Sequence, residues 1–217
     1  MRTLIETAAA GPRPGLAFAL LSGTYGEPED FVREGFPAAV REHGIEAEIV
    51  MAGVSAASFA DGSIVRQIRE DVVLPALQRG CRRIWLAGIS LGGLAALSFA
   101  ARHDEDLEGI VLLSPHPATR DVLREVEAAG GISRWKARKG TEGDLEREAW
   151  SWLADARTHR VSVHCYFTSG DRFASGQRRM AEALDADRVC ELPGAHDWAS
   201  WRRLWNEFLA ASRVSLQ

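Results

Sequence analysis

The chain predicts an α/β fold, a mostly parallel and doubly wound sheet with helices on both faces. Two observations carry this. Apolar runs of strand length alternate with longer helical patterns along most of the chain, the signature of βαβ units. With 217 residues, 46% of them hydrophobic, the chain can also bury a substantial core. We read it as one domain over 1–217.

The elements follow in order. A strand at 16–21 leads to a helix over 30–43, a strand at 46–51 to a helix over 63–78, and a strand at 83–87 to a helix over 91–102. Beyond a strand at 109–113 come 161–168 with a helix over 175–184, then 188–192 with a final helix over 197–211. Thr3-Leu4-Ile5 adds a short edge strand. Between Ser114 and Arg160 the expected short crossover becomes 45 residues, with Gly130-Gly131, Gly140, Gly143, a basic cluster and three tryptophans. Helical patterns at 121–129 and 145–156 make this a small helical cap insertion over about 115–160.

Composition excludes some classes. A net charge of −4 gives no global attraction to nucleic acid or anionic lipid. Cys81, Cys165 and Cys190 are odd in number and widely spaced, so they predict neither a metal cluster nor a disulfide framework. The first residues lack a continuous apolar segment, and no run approaches the ~18 apolar residues of a membrane span. A reducing cytoplasm is the expected setting.

Gly88-Ile-Ser90-Leu-Gly92-Gly93 joins the end of a strand directly to a helix, the setting a nucleophilic serine needs. The serine sits on a strained turn, and flanking glycines remove the Cβ atoms that would collide there. A serine hydroxyl is a poor nucleophile at neutral pH and requires a base held by a carboxylate. His196, in a loop after the last predicted strand, is the leading base, and Asp171, after the strand at 161–168, is the matching acid. His116 also follows a strand end and is the second candidate base, better placed on the pocket wall. Asp197 adjoins His196 too closely in sequence to orient it. The developing oxyanion needs two donors. Leu91 offers one amide at a helix N-terminus, and the loop after residue 21 offers Thr24 or Tyr25, with Gly23 permitting close approach.

Trp198, Trp201, Trp205 and Phe208 form a helical stripe that packs the last helix on the sheet, with Trp198 near enough to brace His196. Trp135, Trp150 and Trp152 in the insertion either line an acyl or aryl pocket or hold the cap together.

Ser90, Asp171 and His196 in that order, with the Gly-Ile-Ser-Leu-Gly-Gly turn and Gly-Ala-His near the C-terminus, together resemble the α/β-hydrolase superfamily, specifically its small serine esterases and thioesterases. The resemblance covers about 16–209. It implies a three-layer αβα fold, no metal or organic cofactor, and acyl transfer from a small-molecule ester, thioester or amide to water through an acyl-serine. It places the nucleophile on Ser90, the acid on Asp171, the base on His196, and the oxyanion amides on Leu91 and Thr24 or Tyr25. Two features depart from the superfamily pattern: Ser22-Gly23 stands where His-Gly is common, and little sequence precedes Leu16, so the first antiparallel strands are reduced to one or absent. The same parts would serve an acyltransferase, or a binding protein without turnover. Arg134, Lys136, Arg138 and Lys139 could dock an acyl-carrier protein.

Overall fold

The computed structural model of the chain describes residues 1–6, 15–137 and 143–216. Seven strands form a single sheet in the order β1-β3-β2-β4-β5-β6-β7. They are β1 Thr3–Glu6, β2 Leu16–Leu21, β3 Glu48–Ala52, β4 Arg83–Ile89, β5 Gly109–Leu113, β6 Ser162–Thr168 and β7 Val189–Leu192. Every pairing is parallel except that of β1, which runs antiparallel along the edge against β3. One antiparallel strand therefore precedes the parallel set.

The helices are α1 Pro28–Arg33, α2 Phe36–Glu42, α3 Ala56–Ala60, α4 Ser63–Ile68, α5 Leu74–Gln78, α6 Leu91–His103, α7 Arg120–Ala128, α8 Leu145–Ala154, α9 Ala174–Ala181 and α10 Trp198–Leu216. Their division between two faces follows from the alternation of side chains along a strand. In β2, Ala17, Ala19 and Leu21 join the core under α4 to α9, whereas Leu16, Phe18 and Leu20 join the core under α1, α2 and α10. All six residues of β2 are buried, as expected of a strand covered on both sides.

Two predicted helices are interrupted. The helix expected over 30–43 breaks at Gly35, which adopts φ 79°, and restarts with Pro37 in the first turn of α2. The helix expected over 63–78 contains a π-helical turn at Arg69–Val73. Pro75 supplies the cause, because it has no N–H to give the Asp71 carbonyl four residues earlier.

Register sets the position of the site. Leu21 pairs with Gly88, Ile89 with Leu113, and Thr168 with Leu192, so β2, β4, β5, β6 and β7 end along one edge of the sheet. The loops and helix starts that follow those ends carry every residue of the predicted site except Trp135, Trp150 and Trp152. Within the insertion, α8 packs beside α6 on the sheet flank, and α7 borders a surface cleft that it shares with the start of α9. Among the described residues, no helix is long and apolar enough to cross a membrane.

Candidate active site

Ser90 sits between β4 and α6 with φ 51° and ψ −116°. Such a backbone costs about 1–3 kcal/mol and persists only where its surroundings enforce it. Here the Ser90 N–H donates to the Leu113 carbonyl (3.2 Å), and the Ser90 carbonyl accepts from the His116 N–H (2.8 Å). The turn is also too tight for side chains. A Cβ on Gly88 would lie 2.3 Å from the Gly92 backbone, and one on Gly92 would lie 2.3 Å from the Leu21 carbonyl oxygen.

Asp171 and His196 are 25 residues apart, and backbone hydrogen bonds join their loops. The Ser169 N–H donates to the Leu192 carbonyl (2.8 Å) and the Gly170 N–H to the Gly194 carbonyl (3.0 Å). Thr168 adds a hydroxyl bond to the Ala195 carbonyl (3.0 Å). Asp197 caps the start of α10 through the Ser200 N–H (2.8 Å) and leaves His196 to Asp171.

The three side chains then meet. His196 Nε2 lies 3.1 Å from Ser90 Oγ, and His196 Nδ1 lies 2.6 Å from Asp171 Oδ2. The Asp171 carboxylate also accepts from the Phe173 N–H (2.8 Å) and from Gln177 Nε2 (3.1 Å). Burial alone would raise its pKa. The hydrogen bonds from His196, Phe173 and Gln177 outweigh that cost and hold the carboxyl below the usual carboxylate range. An ionised acid holding a proton on Nδ1 leaves Nε2 facing the hydroxyl as an acceptor, the arrangement that can remove its proton.

A cleft of about 210 Å³ opens on this group and is lined by Gly23, Thr24, Tyr25, Ser90, His196 and Trp198, among others. Ser22 organises its far wall. Its buried hydroxyl donates to the Gly26 carbonyl (2.8 Å) and accepts from the Val54 N–H (3.0 Å), pinning the Gly23–Gly26 turn. Leu91 opens α6, where first-turn amides have no intrahelical acceptor. Both predicted sources of oxyanion donors thus border Ser90. Tyr25 is 96% exposed, so its side chain projects into solvent at the cleft mouth.

His116 packs edge-on against Phe173 (4.9 Å between ring centroids), and Phe173 packs edge-on against His196 (5.4 Å). His116 Nδ1 accepts from the Ala118 N–H (3.2 Å). Burial depresses its pKa; Glu146 pulls the other way, while His196 and Arg172 add to the depression. A neutral ring so bonded carries its proton on Nε2, and His196 rather than His116 faces Ser90.

The tryptophans divide. Trp201 contacts the His196 ring edge-on at 5.0 Å, and Trp198 packs edge-on against Trp201 at 5.1 Å, so the brace expected of Trp198 comes from its neighbour one turn on. Trp135, Trp150 and Trp152 are buried in the core on the α6 side of the sheet. Trp150 donates to the Pro117 carbonyl (2.9 Å), and Trp152 lies parallel to His159 at 4.4 Å. None of the three lines the Ser90 cleft. Of the basic cluster, Arg134 and Lys136 are exposed, whereas Arg138 and Lys139 lie outside the described residues. Sequence reasoning missed Gln177, Phe173, Arg172 and the role of Ser22. Gln177 falls six residues beyond Asp171, within α9, and no local motif marks it.

Among the described residues, His103, Glu105 and Asp106 are the group of possible metal ligands whose atoms come within 4.8 Å of one another. It lies at the opposite end of α6 from Ser90.

Solved structures share this architecture. Est1E from Butyrivibrio proteoclasticus aligns over 99% of this chain and 93% of its own with a TM-score of 0.71 at 15% identity. FphF, a fluorophosphonate-binding serine hydrolase of Staphylococcus aureus, aligns over 89% and 82% with a TM-score of 0.65 at 15% identity. The esterase domain of a Rhodothermus marinus protein aligns over 97% and 91% with a TM-score of 0.63 at 15% identity. The chain has the α/β-hydrolase fold. No family model and no curated sequence matches it. Within this fold, Ser90 stands at the turn between β4 and α6, and the loops after β6 and β7 carry Asp171 and His196.

Proposed function

We propose that the protein is a serine hydrolase that cleaves a carboxylic ester or thioester of a small molecule through an acyl-serine intermediate. The observation that carries this reading is the unbroken chain of contacts from Asp171 through His196 to Ser90 on a strained elbow. In the first half-reaction His196 Nε2 takes the Ser90 proton as Oγ bonds to the acyl carbon. The negative charge on the former carbonyl oxygen is held by the Leu91 N–H and by the Thr24 or Tyr25 N–H. His196 then gives its proton to the leaving oxygen or sulfur as that bond breaks. Water repeats the sequence, losing a proton to His196, releasing the acid and restoring Ser90.

The rest of the reading follows. The chain acts as one domain, with residues 115–160 as its insertion, and needs no cofactor. A cytoplasmic setting suits the buried thiol of Cys165, which forms no disulfide. A cleft of about 210 Å³ favours a short acyl group. Transfer to an acceptor other than water would use the same atoms, and delivery from an acyl-carrier protein is the variant that the exposed Arg134 and Lys136 would serve.

The test is hydrolysis of a chain-length series of p-nitrophenyl esters and matched thioesters by wild type and Ser90→Ala, with fluorophosphonate labelling alongside. We expect wild-type turnover and labelling, both lost in the variant. A wild type that neither turns over nor labels would favour a binding protein.

A further inference from the structure

Arg172 follows Asp171 directly and lines the Ser90 cleft. It also lines a second, larger cleft of about 510 Å³ between α7 and the start of α9, and so forms a wall common to both. Its guanidinium lies 4.7 Å from the centre of the Phe173 ring, the same ring that contacts His196. Stacking on an aromatic face holds the fork of donors in place beside the reacting group.

Charge in this region runs against the whole. The protein is net −4, yet the second cleft presents Arg120, Arg172 and Arg179 against Glu127 alone. Arg179 has a carboxylate partner in Glu182. Arg120 and Arg172 have none among the described residues. Pro117, Ala118, Leu123 and Phe173 give the same cleft apolar lining. An apolar trough with unpaired guanidinium groups suits a short carbon chain ending in an anion, and Arg offers two parallel donors to a carboxylate.

We propose that Arg172 is a specificity-determining residue that binds a free carboxylate on the substrate, with Arg120 as a more distant partner; the natural substrate class is then an ester or thioester that also carries an acid group. This rests on the hydrolase reading above. Neutral esters of equal length bind the same cleft without the ion pair.

The test compares kcat/KM within two matched pairs: the p-nitrophenyl monoester of adipate against p-nitrophenyl hexanoate, and 3-carboxyphenyl butyrate against phenyl butyrate. The ratio within a pair is insensitive to a general loss of activity. We expect wild type to favour the carboxylate member of at least one pair by about tenfold or more, Arg172→Gln to remove that preference, and Arg172→Lys to retain part of it. A parallel arm titrates monomethyl adipate calorimetrically into Ser90→Ala and into the Ser90→Ala, Arg172→Gln double variant, and needs no turnover. Cleavage of neutral esters without a carboxylate preference, or a preference that survives Arg172→Gln, would overturn the inference and leave the hydrolase reading standing. Binding that depends on Arg172, without ester turnover or labelling, would support the subsite and remove the hydrolase reading. Absence of turnover and of binding would overturn both.

Discussion

Gln177 Nε2 lies 3.1 Å from Asp171 Oδ2 and 3.1 Å from the Pro115 carbonyl oxygen, donating to both from a side chain with no solvent exposure. It ties the acid of the proposed triad to the loop after β5 that also carries His116. The reverse amide orientation would set the Gln177 oxygen against two acceptors, so the donor role is fixed by its neighbours. Hydrogen bonds to charged groups contribute about 1.5–3 kcal/mol. Gln177→Leu removes one of the bonds that favour ionised Asp171, so the acid becomes easier to protonate. We expect kcat to fall roughly tenfold or more, with the lower limb of the pH–rate profile moved to higher pH and KM little changed. An unchanged profile with a lower melting temperature would reduce Gln177 to a packing role.

The Asp171 carboxyl itself makes a pH prediction. Its folded pKa lies below the ordinary value, which is about 3.9 for an unfolded aspartate. Its ionised form therefore contributes stability that is complete above the unfolded pKa and is lost as pH falls through the folded one. The melting temperature of wild type relative to Asp171→Asn should decline between pH 6 and pH 3. A constant difference over that range would contradict the assigned hydrogen bonds. At pH 7 the same variant should lose about 10³–10⁴-fold in kcat, because Asn can present a donor where His196 Nδ1 needs an acceptor.

Local sequence carried the parts of the site that sit on elements with strong patterns. Ser90 was legible because Gly88, Gly92 and the adjacent apolar runs mark a strand–turn–helix junction, and Asp171 and His196 because each follows a strand end. The sheet was legible because buried parallel strands such as β2 are almost wholly apolar. Other features depend on contacts across distant segments. Gln177 acquires its role only when α9 packs beside the loop after β5, and Trp201 overtakes Trp198 as the brace of His196 through the rotation of α10. The breaks at Gly35 and Arg69–Val73 fall beside Pro37 and Pro75, whose effect on the backbone leaves no mark in the apolar periodicity of those segments.

The elbow glycines differ in what they permit. At Gly88 a Cβ would lie 2.3–2.4 Å from backbone atoms of Gly92 and Gly93, which cannot rotate away. Gly88→Ala should cost at least about 3 kcal/mol, a fall of roughly 6–12 °C in melting temperature for a chain of this size. At Gly23 the nearest atom to a new Cβ is Ser90 Cβ at 3.5 Å, an ordinary contact. Gly23→Ala should therefore melt within about 2 °C of wild type while losing ester turnover, since the added methyl crowds the side of Ser90 where the oxyanion would form. Equal destabilisation by the two substitutions would contradict this division.

Trp150 separates the two roles that the insertion could have. Its ring is wholly buried against the α6 side of the core, and its indole N–H donates to the Pro117 carbonyl in the segment leading from His116 to α7. Trp150→Phe keeps most of the packing and leaves that carbonyl without its partner, a cost of about 1–3 kcal/mol. Trp150→Ala opens a cavity as well, for a total of about 3–5 kcal/mol. Both losses should appear as lower denaturation midpoints at unchanged denaturant slope. A core tryptophan leaves the acyl chain-length preference where it was, because the residues that line the Ser90 cleft stay in place. A pocket tryptophan, when truncated, admits longer acyl groups. Chain-length profiles of wild type and Trp150→Phe that superimpose, alongside a lowered midpoint, are the outcome expected from the buried position; a profile shifted toward longer chains would place Trp150 in the acyl pocket instead.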